Sequence, residues 1–132
     1  MIVFLSIFSC QNEVATSATK PISVPVQSTQ THRIDVQTLY QKMKQKPIII
    51  DVRTPEEFTA GHIPTAKNIP LSSLQDHIVE LSQFKNDEIF LVCAVGGRSQ
   101  QATKMLLSKG FTKAINVEGG TRGWQAKGFP TD

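Results

Sequence analysis

The stretch FLVCAVGGRSQQATKMLLSKG, residues 90–110, joins a short apolar run to an amphipathic pattern through a loop that contains two glycines. The apolar run ends at Cys93, and the amphipathic pattern, which has helical spacing, begins near Arg98 and stops at Gly110. A short, continuously apolar run is typical of a strand buried on both faces of a sheet. The stretch therefore predicts a strand, a tight loop and a helix, with a thiol at the turn between them.

The rest of the chain repeats this alternation of strand and helix. The segment PIIIDV ends its apolar run at Asp51, which again indicates a buried strand. Asp35 and Thr54 precede amphipathic segments and are typical helix caps, and Pro55 suits a first helical position. The apolar spacing of residues 71–84 predicts a further helix. This order of elements predicts a three-layer α/β/α fold around a five-stranded, mainly parallel sheet.

Length and composition fit one globular domain and exclude several classes of function. The chain has 132 residues and a formal net charge of +3, and its basic residues are scattered, so no nucleic-acid partner is expected. Its two cysteines are too few for a disulfide framework. No histidine stands at ligand spacing from Cys93, so no metal site is expected.

The N-terminal part differs in composition from the rest. Residues 1–9 are mostly apolar and indicate a signal segment, and the residues before Cys10 resemble a bacterial lipoprotein cleavage box, which implies lipid attachment at Cys10. Residues 10–32 have the composition of a flexible tether, and the folded domain is predicted over residues 33–130. We expect a periplasm-facing lipoprotein of the cell envelope that contacts the membrane only through its lipid. The alternatives are export without a lipid and a cytoplasmic protein with a chance apolar run.

The position of Cys93 predicts a reactive thiol. Parallel α/β sheets bind ligands at the carboxyl ends of their strands, where Cys93 stands. A helix N-terminus lowers the pKa of a thiol, and positive φ at Gly96 and Gly97 is expected to turn backbone N–H groups toward the sulfur. Arg98 adds a positive charge where the next helix begins. The alternative is that Cys93 is a small buried apolar residue without chemistry.

Three segments in the same order, IIIDVRTPEEFTAGHIPTAKNIPL, FLVCAVGGRS and GFTKAINVEGGTRGWQAKGFP, resemble a single-domain rhodanese-like sulfurtransferase. The resemblance implies the rhodanese-like fold and a catalytic cysteine, matched by Cys93, that carries a persulfide. It also implies a loop that binds the sulfur substrate and includes Ala94, Val95, Gly96, Gly97 and Arg98, with Ser99 next to it.

The spacing within this loop separates the chain from related families. Phosphatases and arsenate reductases of the same fold have one more residue between the cysteine and the arginine, whereas this chain has four between Cys93 and Arg98. The shorter loop suits a single sulfur atom better than a phosphate-sized oxyanion.

Four residues outside the loop are expected near the site. Arg53 is expected to bind an anionic substrate or to form an ion pair with Asp51, because alternation along a strand puts both side chains on the same side. Glu57 is expected to be paired or to favour a helix N-terminus, and Trp124 is expected to pack near the mouth of the site.

The expected function is sulfur transfer by a ping-pong mechanism that needs no cofactor. Cys93 takes a sulfane sulfur from thiosulfate or a persulfide and passes it to a thiol, small or on a protein, or to cyanide. Ala94 and Val95 make the mouth less cationic than in many thiosulfate-using members of the family, which favours a persulfide donor. Two alternatives stay open, namely a persulfide carrier or redox partner, and a non-catalytic binding module of the same fold.

Overall fold

The computed structural model describes residues 32–132. The predicted signal segment 1–9, the lipid-bearing Cys10 and all but the last residue of the predicted tether 10–32 lie outside the described residues. Within the described range, no helix combines the length and the apolar character that crossing a membrane requires. Over the same range, no three or more His, Cys, Asp or Glu side chains come together as a set that could hold a metal ion.

Five strands alternate with helices along the described chain. The elements are β1 Arg33–Asp35, α1 Val36–Lys42, β2 Ile48–Asp51, α2 Pro55–Ala60, β3 Lys67–Asn68, α3 Ile78–Leu81, β4 Ile89–Val92, α4 Gly97–Ser108, β5 Ala114–Glu118 and α5 Gly120–Ala126, with 3-10 segments at Met43–Gln45, Leu71–His77 and Ser82–Phe84. The strands form one sheet in the order β1-β5-β4-β2-β3, and every pair is parallel. The predicted α/β class and five-stranded sheet are confirmed.

Helices cover both faces of the sheet, as predicted for a three-layer fold. Along β4, Ile89 and Leu91 belong to an apolar cluster on one face, whereas Phe90 and Val92 belong to a cluster on the other face. The first cluster includes side chains of α3 and α4, and the second includes side chains of α1 and α5. Strand side chains alternate between faces, so both faces of β4 are buried and its continuous apolar run is explained.

Two helix caps predicted from the sequence are confirmed. The Thr38 N–H donates to Asp35 Oδ1 at 2.8 Å, and the Glu57 N–H donates to Thr54 Oγ1 at 3.3 Å. Pro55 is the first residue of α2. A cap of this kind stabilises a helix by about 1 kcal/mol, because it satisfies an N–H group that has no partner inside the helix.

The predicted helix over residues 71–84 is wrong in type, because only Ile78–Leu81 is α-helical and 3-10 helix stands on both sides of it. The 3-10 helix that precedes α3, Leu71–His77, has no side-chain cap at its start. In a 3-10 helix, residues three apart lie on the same face. Leu71 and Leu74 therefore both reach the core in this conformation, and their spacing alone does not separate the two helix types.

The turn between β5 and α5 fixes the backbone of the loop that follows β4. The N–H groups of Thr121 and Arg122, in the first turn of α5, donate to the carbonyl oxygens of Cys93 and Ala94 at 2.9 and 3.0 Å. Gly120 adopts a φ of +54°, and a Cβ at this position would lie 2.6 Å from the Ala94 oxygen and closer still to the Cys93 oxygen. Only glycine therefore allows α5 to approach the loop so closely.

We predict that Gly120→Ala lowers the free energy of unfolding by about 3 kcal/mol, because a Cβ there meets fixed backbone atoms and the φ is strained. Gly123→Ala in the same helix is the control. Its Cβ would make only ordinary contacts with Val36, at 3.6 Å, and the better helix propensity of alanine adds up to about 1 kcal/mol of stability. Urea denaturation of both variants measures the difference. Equal stabilities would contradict the close approach of α5 to the loop.

Candidate active site

Cys93 lies directly after β4, at the carboxyl end of the sheet, and its residue surface is 1% exposed. The loop continues through Ala94, Val95 and Gly96, and α4 begins at Gly97. The sulfur therefore stands between the end of a buried strand and the first turn of a 12-residue helix. The N-terminus of such a helix carries a partial positive charge, which favours an anion at this place.

Two of the groups around the sulfur lie at the shortest hydrogen-bond distances from it. The Gly96 N–H donates to Cys93 Sγ at 3.0 Å, and Ser99 Oγ lies 3.3 Å from the same sulfur atom. Gly96 has a φ of +126°, a backbone conformation that glycine adopts without strain. Positive φ at Gly97, predicted from the double glycine, is wrong, because Gly97 already belongs to the first turn of α4 and a Cβ there would meet open space.

The surroundings of the sulfur favour its ionised form. Burial works to raise the pKa of Cys93, because it removes the anion from water. Hydrogen bonds from the Ser99 hydroxyl and from the backbone N–H groups of Ser99, Gly96 and Val95 act in the opposite direction and prevail. The pKa of Cys93 therefore lies below the ordinary cysteine value, and more thiolate, the reactive form, is present at neutral pH.

Arg98 does not stand free at the loop but is paired with Glu57 of α2. Its two terminal nitrogens donate to the two carboxylate oxygens of Glu57 at 2.7 and 2.8 Å. These hydrogen bonds hold the pKa of Glu57 at about 2 and raise the pKa of Arg98. Both groups are charged at neutral pH, so the carboxylate offsets most of the positive charge that Arg98 brings to the loop.

Arg53 forms a buried ion pair with Asp51, which is one of the two roles expected for it. Its Nη2 donates to Asp51 Oδ2 at 2.7 Å and to the Gly61 carbonyl oxygen at 2.8 Å, and its Nε donates to Asp51 Oδ1 at 3.0 Å. Arg53 is only 6% exposed. These contacts hold the connection after β2 against the sheet, and a contact of Arg53 with substrate stays a prediction.

The mouth of the site carries apolar groups. Val95, at the tip of the loop, is 58% exposed, and Ala94 beside it is partly exposed. A shallow pocket of about 330 Å³ lies next to Arg98 and is lined by Val52, Thr54, Pro70, Leu71 and Ser72. A ligand that approaches Cys93 from this side therefore meets mainly uncharged groups.

Trp124 is a packing residue. Its side chain is fully buried in the cluster formed with α1, on the face of the sheet opposite to the cluster that contains Cys93. Its Nε1 donates to the Pro130 carbonyl oxygen at 2.7 Å, and its ring packs edge-on against Tyr40 and Phe129. Trp124 thus stabilises α5, whose first turn holds the loop.

Asn116 is a residue of the site that was not predicted from the sequence. Asn116, in β5, accepts a hydrogen bond from the Ser99 hydroxyl at 2.6 Å and is 7% exposed. Its neighbours Ile115 and Val117 are apolar and point to the opposite face, so Asn116 is a buried polar side chain between two apolar residues of the strand. That interruption is the sequence signal that would have identified it.

Known proteins are similar to this chain in sequence and in fold. The chain matches the model of the rhodanese-like domain over residues 35–127. YrkF of Bacillus subtilis, which bears the name of a sulfur carrier protein, is 42% identical over 79 residues, or 60% of this chain and 42% of YrkF. The chloroplast thiosulfate sulfurtransferase 16 of Arabidopsis thaliana is 39% identical over 92 residues, or 62% of this chain and 77% of that protein. The structure of the human single-domain sulfurtransferase TSTD1 is similar with a TM-score of 0.66 and 30% identity, covering 72% of this chain and 96% of TSTD1.

We predict that Ser99→Ala raises the pKa of Cys93 by about one unit, because the thiolate loses a hydrogen bond in a buried place. The pH dependence of alkylation by iodoacetamide measures this pKa. Ser108→Ala is the matched control, since Ser108 ends the same helix and, within residues 32–132, its hydroxyl bonds only the Met105 carbonyl. An unchanged midpoint in Ser99→Ala would show that the hydroxyl does not stabilise the anion.

Proposed function

Because the chain belongs to the rhodanese-like domain family, we propose that it is a sulfurtransferase in which Cys93 carries the transferred sulfur as a persulfide. The hydrogen bond from the Gly96 N–H to Cys93 Sγ carries this proposal, because it places a preorganised donor where a sulfur anion forms. The names of the Arabidopsis and human relatives, both sulfurtransferases, support it.

The proposed reaction has two displacement steps at sulfur. The Cys93 thiolate attacks the outer sulfur of a donor, a new S–S bond forms, and the donor leaves with the electron pair of the bond that breaks. An acceptor thiolate or cyanide then attacks the terminal sulfur, and Cys93 leaves as a thiolate. This is covalent catalysis by an activated nucleophile, and the loop N–H groups stabilise the charge in each state.

The electrostatics of the mouth support a persulfide as the donor. Thiosulfate is a dianion, and it gains most from an unpaired cation near the sulfur. The guanidinium of Arg98 is instead paired with Glu57, and Val95 at the loop tip is apolar. A donor with an uncharged organic part fits these groups better than a small, strongly hydrated anion.

A persulfide carrier is the second candidate function, and the exposed side chain of Val95 favours it. An apolar group beside the reactive sulfur suits contact with a protein partner. The similarity to YrkF points in the same direction. Slow turnover on small donors together with fast transfer to one protein thiol would identify a carrier. A purely non-catalytic binding module has no need of a thiol whose pKa is lowered.

The N-terminal residues support a proposal about location. A lipid on Cys10, followed by a flexible tether over residues 10–32, would hold the domain at the cell envelope on the periplasmic side. A cytoplasmic location is the alternative. Neither depends on the chemistry proposed for Cys93.

Intact-mass spectrometry tests the proposed reaction. We predict that the purified protein gains the mass of one sulfur atom after incubation with a persulfide donor, and that cyanide or a thiol removes it. Cys93→Ala, the control, gains nothing. No gain with a persulfide or with thiosulfate, while an alkylating agent still reaches Cys93, would overturn the proposal.

Glu57→Gln tests the proposed donor class. Removal of the carboxylate leaves the Arg98 charge unpaired, so we predict that loading of Cys93 by thiosulfate becomes about tenfold faster at low salt. Loading by an alkyl persulfide, which has an uncharged organic part and carries at most one negative charge, should change less than loading by the thiosulfate dianion. Glu80→Gln, which removes the carboxylate of an exposed ion pair with Lys67, is the matched control. Equal thiosulfate rates in the wild type and Glu57→Gln would show that this ion pair does not set the donor preference.

A further inference from the structure

The Ser99 hydroxyl has three possible acceptors and one hydrogen atom. Its Oγ lies 3.3 Å from Cys93 Sγ, 3.2 Å from the Gly96 carbonyl oxygen and 2.6 Å from Asn116 Oδ1. A hydroxyl donates one hydrogen bond at a time and accepts others. In the arrangement that the shortest distance indicates, its hydrogen points at Asn116, away from the sulfur that the hydroxyl would stabilise.

The side chain of Asn116 can either accept a hydrogen bond from the Ser99 hydroxyl or donate one to it. A carboxamide has an acceptor at one end and donors at the other, and a half-turn of the group exchanges them in nearly the same volume. Ser99 is the only hydrogen-bond partner of this side chain in residues 32–132. Asn116 also lines a cavity of about 540 Å³, so the half-turn breaks no other bond within the described range.

Each charge state of the sulfur fits one of the two orientations. When Sγ is a neutral thiol, its S–H donates to Ser99 Oγ and the hydroxyl donates to Asn116 Oδ1. When Sγ is a thiolate, the hydroxyl donates to the sulfur and Asn116 Nδ2 donates to Oγ. In both cases each hydrogen bond from Sγ through Oγ to Asn116 joins one donor to one acceptor, and the far end of the carboxamide faces the cavity. The second chain ends on an anion, which strengthens both of its hydrogen bonds.

We propose, on the basis of the proposed sulfur-transfer function, that Asn116 is a positioning residue that turns the Ser99 hydroxyl toward Cys93 whenever Sγ carries the negative charge. In the loaded state the S–S bond makes Sγ neutral and the charge lies on the terminal sulfur. The hydroxyl then turns back to Asn116. No proton leaves either residue; only the O–H bond and the carboxamide rotate.

Loss of Asn116 should shift the pKa of Cys93 in one direction only, because another group can take over its role as acceptor but not its role as donor. The Gly96 carbonyl can replace Asn116 as acceptor for the hydroxyl, since it lies within reach. Among the described residues, no other side chain takes the place of Asn116 Nδ2 as a donor to Ser99 Oγ. Loss of Asn116 therefore costs the thiolate more than the thiol, and the pKa of Cys93 rises.

A double-mutant cycle with Ser99→Ala tests the proposal, with the pH dependence of alkylation in the full-length protein as the readout. We expect Asn116→Leu to raise the pKa of Cys93 by about half a unit when Ser99 is present. In the Ser99→Ala background it should change nothing. No shift with Ser99 present, or the same shift in both backgrounds, would overturn the proposal.

Asn116→Asp covers the case in which the leucine variant does not fold, because it keeps the shape of the side chain. Its carboxylate only accepts, so it holds the hydroxyl away from the sulfur and adds a negative charge. We expect a rise in the pKa of Cys93 of more than about one unit, and a smaller rise in the Ser99→Ala background, where only the added charge acts. Equal rises in both backgrounds would overturn the proposal.

Gln100→Leu is the control, because Gln100 lines the same cavity and, in the described range, its side chain bonds neither Ser99 nor Asn116. The neutral variants leave unchanged the charged and titratable groups around the loop and the cavity, namely Asp51, Arg53, Glu57, Arg98, His32, Arg33, Lys104 and Glu118. Alkylation needs no sulfur donor. A failure of this proposal therefore leaves sulfur loading intact, and a failure of sulfur loading leaves the pKa shift measurable.

Discussion

A negative charge on the sulfur of Cys93 is the state that the surrounding structure stabilises. Burial alone would disfavour this anion. The N–H of Gly96 and the hydroxyl of Ser99 reverse that effect, and both act only while the loop keeps its shape. The first turn of α5 maintains the shape by donating to the carbonyl oxygens of Cys93 and Ala94. Stabilisation of the sulfur anion thus depends on the turn at Gly120, in a different part of the chain.

The thiolate of Cys93 is stabilised by the dipoles of N–H and O–H groups more than by charged side chains. Two arginines near the carboxyl ends of β2 and β4, Arg53 and Arg98, are each paired with a carboxylate, the first deeply buried and the second partly exposed. Hydrogen bonds act over short distances and in fixed directions, whereas an unpaired cation attracts any anion in the neighbourhood. The hydrogen bonds to Cys93 Sγ therefore favour a negative charge on that one atom.

The sequence predicted the features that depend on neighbours along the chain, and it missed those that depend on distant contacts. The alternation of strands and helices, the caps at Asp35 and Thr54 and the position of the thiol all follow from local periodicity and residue type, whereas the order of the strands in the sheet depends on pairing between distant segments. The bidentate ion pair between Arg98 and Glu57 joins residues 41 positions apart, so local sequence patterns do not identify the partner of Arg98. Gly97 was assigned a left-handed conformation because two glycines stood together, but the helix begins at the second one.

A crystal structure of the sulfur-loaded protein tests most directly whether the loop holds a sulfur anion. We predict that the terminal sulfur lies within hydrogen-bond distance of the backbone N–H groups of the loop, inside the curve that runs from Cys93 to Ser99. A terminal sulfur that points away from the loop into solvent, with those N–H groups bound to water, would contradict the claim that the loop exists to hold a sulfur anion.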